Sequence, residues 1–232
     1  MNKFWCFSAG ETGRALYLNG PISDETWWGD EITPAAFREE LLASQGDITV
    51  WINSPGGCVF AAAEIYTALK EYPGRVTVKI TGMCASAASV VAMAGAEVLM
   101  SPVSYMVIHN PSTIAIGDSA EMLRAKATLD EIKEGIINAY QAKTRLPREE
   151  ISRLMNEESC FNAKKAVQLG FADDVLYENQ SVNDSAPVIF SRMSVMNSLL
   201  AKIPQPVKQE MSTPGIHNDL EELEARLQKL KI

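Results

Sequence analysis

The chain has 232 residues, 47% of them hydrophobic, which suits one large domain or one domain with an appendage. Its formal net charge of −8 argues against a nucleic-acid partner. The four cysteines are widely spaced and include no CxxC pair, which argues against a disulfide framework and a zinc site and favours reduced, buried thiols in a cytoplasmic protein.

The N-terminal part of the chain predicts one strand, a loop and a helix. Residues 1–13 form a short lead-in, without the apolar core that a signal peptide needs. The first strand is predicted over Arg14 to Asn19. The polar segment from Ile22 to Ile32 predicts a loop that folds over a partner or over the domain. Thr33-Pro34 then starts a helix, with the threonine as N-cap and the proline at the first helical position.

Two buried strands are each followed by glycine or small residues and then by a helix. The first, Asp47 to Asn53, is apolar, as expected inside a parallel sheet. It continues into Ser54-Pro55-Gly56-Gly57 and a helix from Val59 to Glu71. The second, Val76 to Ile80, continues into Gly82 to Ser89 and a second, apolar helix. Such turns aim backbone N–H groups into one concavity and let backbone approach a substrate closely.

Ser86 is the polar side chain nearest to the N-terminus of this second helix. The unpaired N–H groups and the positive dipole end there suit an oxyanion. Taken alone, the stretch favours the simpler interpretation of a close-packed helix with Ser86 as its N-cap. The apolar run from Met83 to Met100 is interrupted by polar residues and predicts a core helix and a strand, not a membrane span.

His109 follows the second of two short strands predicted after this helix. It is the only histidine of the predicted domain, because His217 lies in the tail, although a histidine at a strand end is usually structural. Gly57, Ser86 and His109 each come just after a strand end. Sites in parallel α/β sheets lie outside those ends, so the coincidence favours a catalytic site.

Three helices and a last strand complete the predicted domain. A long helix is predicted from Asp118 to Lys143, a second begins at Pro147, a link covers residues 157–161, and Asn162 caps a third helix. Phe171 to Leu176 predicts the closing strand. Alternating strands and helices indicate an α/β domain with a largely parallel sheet. The long helix has an apolar stripe at helical spacing, formed by Met122, Leu129, Ile132, Ile136 and Tyr140.

The composition changes after Tyr177, which divides the chain into three segments. Residues 1–177 form the predicted folded domain. Residues 178–217, rich in Ser, Asn, Pro and Gln, predict a flexible linker or tail. Residues 218–232 predict an amphipathic helix whose leucines alternate three and four residues apart. This spacing fits a short coiled coil and fits equally a helix docked on its own domain.

Taken together, these motifs resemble the Clp protease proteolytic subunit family, and they fit best its phage branch, the head maturation (prohead) proteases. Ile52 to Gly57 is similar to the family's oxyanion loop, Gly82 to Ser86 to its nucleophile motif, and Met106 to Pro111 to its histidine motif. Phe161 to Asp173 resembles its closing helix, glycine and aspartate. The resemblance covers residues 14 to 177 and implies a ClpP/crotonase-like spiral of βαβ units.

The resemblance also implies the roles of individual residues. Ser86 corresponds to the nucleophile and His109 to the general base, while the backbone N–H groups of Gly57 and Ala87 correspond to the oxyanion hole. This scheme uses neither a metal nor another cofactor.

A carboxylate orients the histidine in this family. The family usually has aspartate just before its last helix, and this sequence has Glu158 there. A glutamate can orient a histidine in the same way, because the role needs only a carboxylate hydrogen-bonded to the ring. Glu157 is the fallback.

The implied function is ATP-independent serine endopeptidase activity on polypeptide substrates, carried out by a ring-like homo-oligomer. The phage branch implies capsid maturation, with processing of a scaffold or capsid precursor, or self-cleavage, in the host cytoplasm or inside an assembling capsid. The first predicted strand begins almost at once, which argues against an ATPase partner. We expect residues 178–232 to recruit the protease into the shell, and we expect no membrane or nucleic-acid partner.

Three alternatives compete with this interpretation. A crotonase-like acyl-CoA enzyme uses the same spiral fold and a backbone oxyanion hole. A Ser–Lys peptidase would use Lys79 or another lysine as its base. A capsid-assembly or scaffold protein could keep a protease fold that is weakly active or inactive. Reactivity of Ser86 with a fluorophosphonate separates these classes.

Overall fold

The computed structural model describes residues 3–10, 13–23 and 34–177, and in these residues eight strands form one sheet. The strands are β1 (Trp5–Gly10), β2 (Gly13–Asn19), β3 (Ile48–Ser54), β4 (Val76–Ala85), β5 (Glu97–Met100), β6 (Tyr105–Val107), β7 (Cys160–Asn162) and β8 (Asp174–Val175). The helices are α1 (Pro34–Leu42), α2 (Val59–Lys70), α3 (Ala87–Ala92), α4 (Ser119–Thr144), α5 (Arg148–Asn156) and α6 (Ala163–Gln168).

The sheet is mostly parallel. Its order is β1-β2-β3-β4-β5-β8, and all of these neighbours run parallel except the β1–β2 pair. β6 pairs in parallel with β4 and antiparallel with β7. Helix α2 joins β3 to β4, and α3 joins β4 to β5, as parallel neighbours require. The predicted α/β class with a largely parallel sheet is confirmed.

The core lies where the helices cover the sheet. Alternate residues of β3 are fully buried, and α1 contributes Phe37 and Leu41, neither of which is exposed. Helix α2 buries Ile65 and Leu69. All six residues of α3 are buried, so this helix packs against its neighbours on every side.

Strand β4 changes its partner half-way along, and this change positions the site. Its first half pairs with β5, whereas Met83–Ala85 pairs with β6. Its register against β3 shifts between the two halves. The Asn53 Oδ1 atom bridges the irregular stretch by accepting a hydrogen bond from the Met83 N–H at 3.1 Å. The prediction that the strand ends at Ile80 and turns at Gly82 is wrong, because pairing with β6 keeps the chain extended to Ala85.

Two further segments differ from their predictions. The lead-in predicted for residues 1–13 contains strand β1, which pairs antiparallel with β2 along its whole length. The link predicted for residues 157–161 leads directly into strand β7, which pairs with β6. Both strands are stabilised by partners distant in sequence or across a turn, which local patterns do not report.

Helix α4 is buried over only part of its 26 residues. Ile136 and Tyr140 lie in the core, Leu129 and Ile132 are half-buried, and Met122 is 41% exposed. The predicted apolar stripe is therefore a core face only towards its C-terminal end.

Some predictions fall outside the described residues. These are the Thr33 cap, most of the loop that begins at Ile22, His217, the linker at 178–217 and the helix at 218–232. None of the helices in the described part of the chain combines the length and the apolar character that a membrane crossing would need.

Candidate active site

Two strand-to-helix junctions touch each other at the carboxyl ends of β3 and β4. We call Ser54–Cys58, which leads into α2, the glycine junction, and Ala85–Ala87, which leads into α3, the serine junction. A Cβ atom added to Gly56 would lie 2.5 Å from the Ala85 carbonyl oxygen and 2.8 Å from the Ala87 nitrogen. Only glycine therefore fits at position 56, where the two backbones meet.

Ser86 has a strained backbone. Its φ of 55° and ψ of −128° lie in a region that residues with a Cβ rarely adopt. Its N–H donates a hydrogen bond to the Val107 carbonyl oxygen of β6 at 2.8 Å, which fixes the turn against the sheet. The side chain makes no capping hydrogen bond. Ser86 does stand at the N-cap position of a close-packed helix, as the simpler interpretation predicted, but its side chain does not cap α3 and its backbone lacks the extended form of a usual capping residue.

Helix α3 contains six residues, so the dipole of a long helix does not contribute here. Any stabilisation of an anion must come from individual N–H groups. The Ala87 N–H is the first of the helix, and no carbonyl of the helix lies four residues before it.

The carbonyl oxygen of Ser86 accepts two hydrogen bonds from one residue. The Ser89 N–H donates to it at 2.9 Å, and the Ser89 Oγ lies 2.5 Å from it. The same Oγ is 2.7 Å from the hydroxyl of Tyr140, which belongs to α4. Ser89 and Tyr140 are both buried. The Ser89 side chain is thus held by two partners. It lies near the site, three residues after Ser86, and could be mistaken for the functional serine.

Gly57 is held by the segment that follows β2. The Ile22 N–H donates to the Gly56 carbonyl at 2.8 Å, and the Cys58 N–H donates to the Ile22 carbonyl at 2.9 Å. In a parallel bridge of this kind the middle residue directs its own N–H away from the partner strand. The Gly57 N–H therefore faces away from Ile22.

The segment before β7 passes close to the His109 loop. One hydrogen bond of 3.0 Å joins the Ile108 N–H to the Ser159 carbonyl beyond the paired residues of β6 and β7. The N–H groups of Ser159 and Glu158 bond back to the carbonyls of Leu154 and Met155, so the ladder itself ends there. Glu158 is exposed and has a φ of 49°.

The imidazole of His109 bonds to the backbone carbonyl of the next residue. Its Nδ1 atom lies 2.6 Å from the Asn110 carbonyl oxygen, so Nδ1 carries the proton and Nε2 is left as the acceptor. The Asn110 amide in turn donates to Asn156 Oδ1 at 3.0 Å, and Lys133 donates to the same oxygen at 2.7 Å. These contacts tie the His109 loop to α4 and α5.

The alternative residues from the sequence bond elsewhere. The Glu157 carboxylate accepts hydrogen bonds from Arg153 at 2.7 and 2.8 Å on the protein surface. The ammonium group of Lys79 lies 5.0 Å from the centroid of the Trp51 ring.

A cavity of about 240 Å³ brings the site together. Gly57, Ser86, Ala87 and His109 all line it. The rest of its wall is largely apolar and includes Val90, Pro111, Leu129, Ile132 and Ile136. The cavity therefore brings a serine, a histidine and the two junction residues Gly57 and Ala87 beside a space that suits an apolar side chain.

Each junction also contains or adjoins a cysteine. Cys58 lines the cavity. The prediction that the cysteines are buried holds for Cys84 and is wrong for Cys6 and Cys160, which are exposed because they lie on short strands at the surface. Cys84 is fully buried behind the serine junction, and this burial raises the pKa of its thiol well above the ordinary value.

The residues that support the glycine junction were not predicted from the sequence. The buried Ser54 hydroxyl donates to the Gly20 carbonyl at 2.7 Å and accepts from the Gly56 N–H at 3.1 Å. Ile22 supplies the backbone bridge. A serine two residues before a glycine is a weak turn signal, but no local pattern predicts the contact with Ile22.

The same part of the chain matches a family model. The model, described as Clp protease, matches residues 11–179, which is well over half of the chain. The match includes both junctions, His109 and Glu158.

Proposed function

Because the chain belongs to the Clp protease family, whose members are peptidases, we propose that it is a serine endopeptidase with Ser86 as its nucleophile. As the Ser86 oxygen attacks the peptide carbonyl carbon, His109 Nε2 accepts the hydroxyl proton. The N–H groups of Gly57 and Ala87 stabilise the oxyanion that forms. His109 then gives the proton to the leaving amine, and water hydrolyses the acyl-enzyme by the same steps.

One observation supports this proposal most strongly. The two junctions, which lie about 30 residues apart in the chain, meet at one cavity, and His109 lines that cavity as well. A purely structural turn has no need of a strained serine at the edge of a cavity. Every group in the scheme belongs to the chain itself.

We assign the orienting carboxylate to Glu158. The hydrogen bond between Ile108 and Ser159, the chain neighbours of His109 and Glu158, supports this role. The carbonyl of Asn110 already selects the tautomer with the proton on Nδ1. A carboxylate adds negative charge, which stabilises the imidazolium that forms during attack.

The apolar cavity wall supports a preference for an apolar residue next to the scissile bond. A side chain of leucine or methionine size would cover Val90, Ile132 and Ile136 and exclude water from the reacting carbonyl. The substrate is then a polypeptide in extended form.

For the biological role we propose capsid maturation in a phage, without ATP, by a ring-like homo-oligomer that processes a scaffold or capsid precursor. The Clp protease family typically forms oligomeric rings, which supports the ring. The similarity of the motifs to the prohead proteases supports the maturation role. The change of composition after Tyr177 supports a separate recruiting role for residues 178–232.

Intact mass spectrometry tests the activity. Wild-type protein and Ser86→Ala are each incubated alone and with a candidate scaffold protein, and a fluorophosphonate probe is applied in parallel. We expect cleavage and labelling by the wild type only. Equal cleavage by both proteins would remove Ser86 from the mechanism. No cleavage and no labelling would favour an inactive assembly protein.

Deletion of residues 178–232 tests the maturation role. We expect the truncated protein to hydrolyse peptides at the wild-type rate and to fail to co-assemble with the scaffold. Retained co-assembly, or loss of hydrolysis, would refute the recruiting role of the tail.

A further inference from the structure

We propose that Ser89 and Tyr140 are positioning residues that aim the Ala87 N–H at the oxyanion. The proposal rests on the peptidase function above. Neither side chain is required to touch the reacting atoms, because both act through the peptide group that joins Ser86 to Ala87.

Ser89 sets the direction of that peptide group. Its carbonyl oxygen accepts hydrogen bonds from the Ser89 N–H (2.9 Å) and from the Ser89 hydroxyl (2.5 Å). No cis peptide occurs in the described residues. In a trans peptide the N–H points opposite to the C=O. Fixing the Ser86 carbonyl towards Ser89 therefore fixes the Ala87 N–H in the opposite direction, away from Ser89.

The hydroxyl protons of Ser89 and Tyr140 are both donated in the direction of Ser86. A carbonyl oxygen only accepts, so the single hydroxyl proton of Ser89 is donated to Ser86. Tyr140 must then donate its own proton to the Ser89 oxygen, at 2.7 Å. Burial raises the pKa of Tyr140 above its ordinary value, which keeps this donor protonated at neutral pH. The result is a directed chain from Tyr140 through Ser89 to the carbonyl of Ser86.

The peptide group after Ser86 needs this support because the backbone of Ser86 is strained. Ser86 is strained at a φ of 55°, and a rotation of the following peptide would relieve strain by turning the carbonyl towards the cavity. Such a rotation would replace the oxyanion's donor with an acceptor. Tyr140 lines the cavity, but it is only 1% exposed and Ser89 has no exposed surface, so these hydrogen bonds lie largely out of contact with water. The chain opposes the rotation.

The test uses full-length Ser89→Ala and Tyr140→Phe. Both are assayed with a fluorogenic peptide that has leucine before the scissile bond. A single oxyanion donor is worth about 10²–10³ in rate, so misaiming one should lower kcat by about 10- to 100-fold for Ser89→Ala and about 5-fold for Tyr140→Phe, with KM unchanged. The affinity for a peptide aldehyde that forms an oxyanion adduct should fall in parallel, while the affinity for the cleaved product stays constant.

The double variant separates positioning from packing. Tyr140 acts through Ser89, so Tyr140→Phe should have no further effect on kcat in the Ser89→Ala background. Additive losses would overturn the proposal.

The chain offers matched controls for both changes. Ser104 is buried, and its N–H and hydroxyl both bond to the Ser101 carbonyl three residues earlier, as those of Ser89 do to Ser86. Tyr72 is buried, and its hydroxyl donates to the Gly46 carbonyl at 2.8 Å. Ser104→Ala and Tyr72→Phe should lower the melting temperature as much as the test variants do, with kcat unchanged.

The outcomes distinguish the positioning role of Ser89 and Tyr140 from the peptidase function itself. A raised KM with unchanged kcat, or equal losses of kcat in the controls, would overturn the positioning role. A wild type that neither cleaves nor reacts at Ser86 would overturn the peptidase function. If Ser89→Ala does not fold, Tyr140→Phe against Tyr72→Phe still decides the question.

Discussion

The glycine junction and the serine junction share one plan, a parallel strand that passes through a sharp turn into a helix, but they place backbone strain differently. In the glycine junction the positive φ values, 88° and 146°, fall on Gly56 and Gly57. In the serine junction the positive φ of 55° falls on Ser86, which has a Cβ. Glycine adopts such angles without steric cost but offers only backbone, whereas serine costs about 1–3 kcal/mol there and offers a hydroxyl.

The supports of the two junctions differ accordingly. The glycine junction is held mainly by backbone, through its bridge to Ile22, with the Ser54 hydroxyl beneath it. The serine junction is held on one side by β6 and on the other by the buried hydroxyls of Ser89 and Tyr140. The strained serine turn thus has two buried hydroxyls in support, whereas the glycine turn has one.

Ser86→Gly converts the second junction into a copy of the first and should have the largest effect. Removing the nucleophile of a serine peptidase lowers kcat by about 10⁶-fold, so hydrolysis should fall to background. Glycine also relieves the strain of the positive φ. The free energy of unfolding of Ser86→Gly should therefore exceed that of Ser86→Ala by about 1 kcal/mol, and its melting temperature should be higher. Calorimetry checks the order of the two variants, and a less stable glycine variant would contradict the strain at this turn.

Glu158→Gln removes the negative charge of the carboxylate that we propose for His109 and leaves both junctions unchanged. Loss of the carboxylate proposed to orient His109 should lower kcat by less than the about 10⁴-fold that a wrong tautomer costs, because the Asn110 carbonyl still holds the Nδ1 proton, and stability should change little. The control is Glu157→Gln, which loses only an exposed pair with Arg153 and should keep full activity. Steady-state kinetics compare the two, and equal activity would move the orienting role from Glu158 to the Asn110 carbonyl.

Gly56→Ala tests the contact between the junctions. The new Cβ would lie 2.8 Å from both the Ser86 Cβ and the Ala87 nitrogen, so the turn must shift and displace an oxyanion donor. We expect kcat to fall by about 10²-fold or more. Gly46 has a φ of 97° and no atom within 4 Å of the corresponding position. Gly46→Ala should therefore lose stability through strain alone and keep its kcat, as peptide hydrolysis by the folded variants will report.

Ser54→Ala weakens the side-chain support of the glycine junction. It leaves the buried Gly56 N–H without its acceptor, which should cost about 1–3 kcal/mol of stability. Because Ile22 still holds the turn, kcat should fall less than in Gly56→Ala, by roughly 10-fold or less. Urea unfolding and kinetics measure both quantities. A loss of kcat as large as that of Gly56→Ala would assign the main support to Ser54 instead of Ile22.

Chemical modification of Cys58 and Cys84 compares the accessibility of the two junctions, and we expect the smallest effect here. At neutral pH, iodoacetamide should modify Cys58, on the cavity wall, and block hydrolysis, and Cys58→Ser should be resistant. Cys84 should stay unmodified in the folded protein, because burial shields its thiol and raises its pKa. Peptide mapping locates the label, and modification of Cys84 would show that the serine junction opens.

The sequence predicted best those elements whose signals are local. β3 and α2 match their predictions to within about a residue, because an apolar run, a Pro-Gly-Gly turn and a helical pattern follow one another. β1 and the second half of β4 were missed for the opposite reason. Trp5–Gly10 and Met83–Ala85 contain small and mixed residues, and their extended form depends on pairing with β2 and β6.

The site shows the same division. Ser86, Gly57 and His109 could be proposed as site residues because each follows a strand end in a parallel sheet, and the structure places all three on one cavity. Their supports could not, because a hydrogen bond between Ser89 and Tyr140 spans 51 residues of sequence. The sequence stripe on α4 marked Tyr140 as a core residue, and nothing in its spacing indicates that its hydroxyl reaches the serine junction.

The positive φ of Ser86 has a consequence for how this chain can change over evolutionary time. If Ser86 is the nucleophile proposed above, a serine at this angle is maintained by selection for its hydroxyl, because glycine at the same position would relieve the backbone strain. In a lineage released from hydrolysis, drift would remove the strained serine early, since mutations that relieve strain at a functional site are the stabilising ones most readily available. The identity of residue 86 in a relative, read beside its melting temperature, is thus a record of whether that relative is still selected as an enzyme.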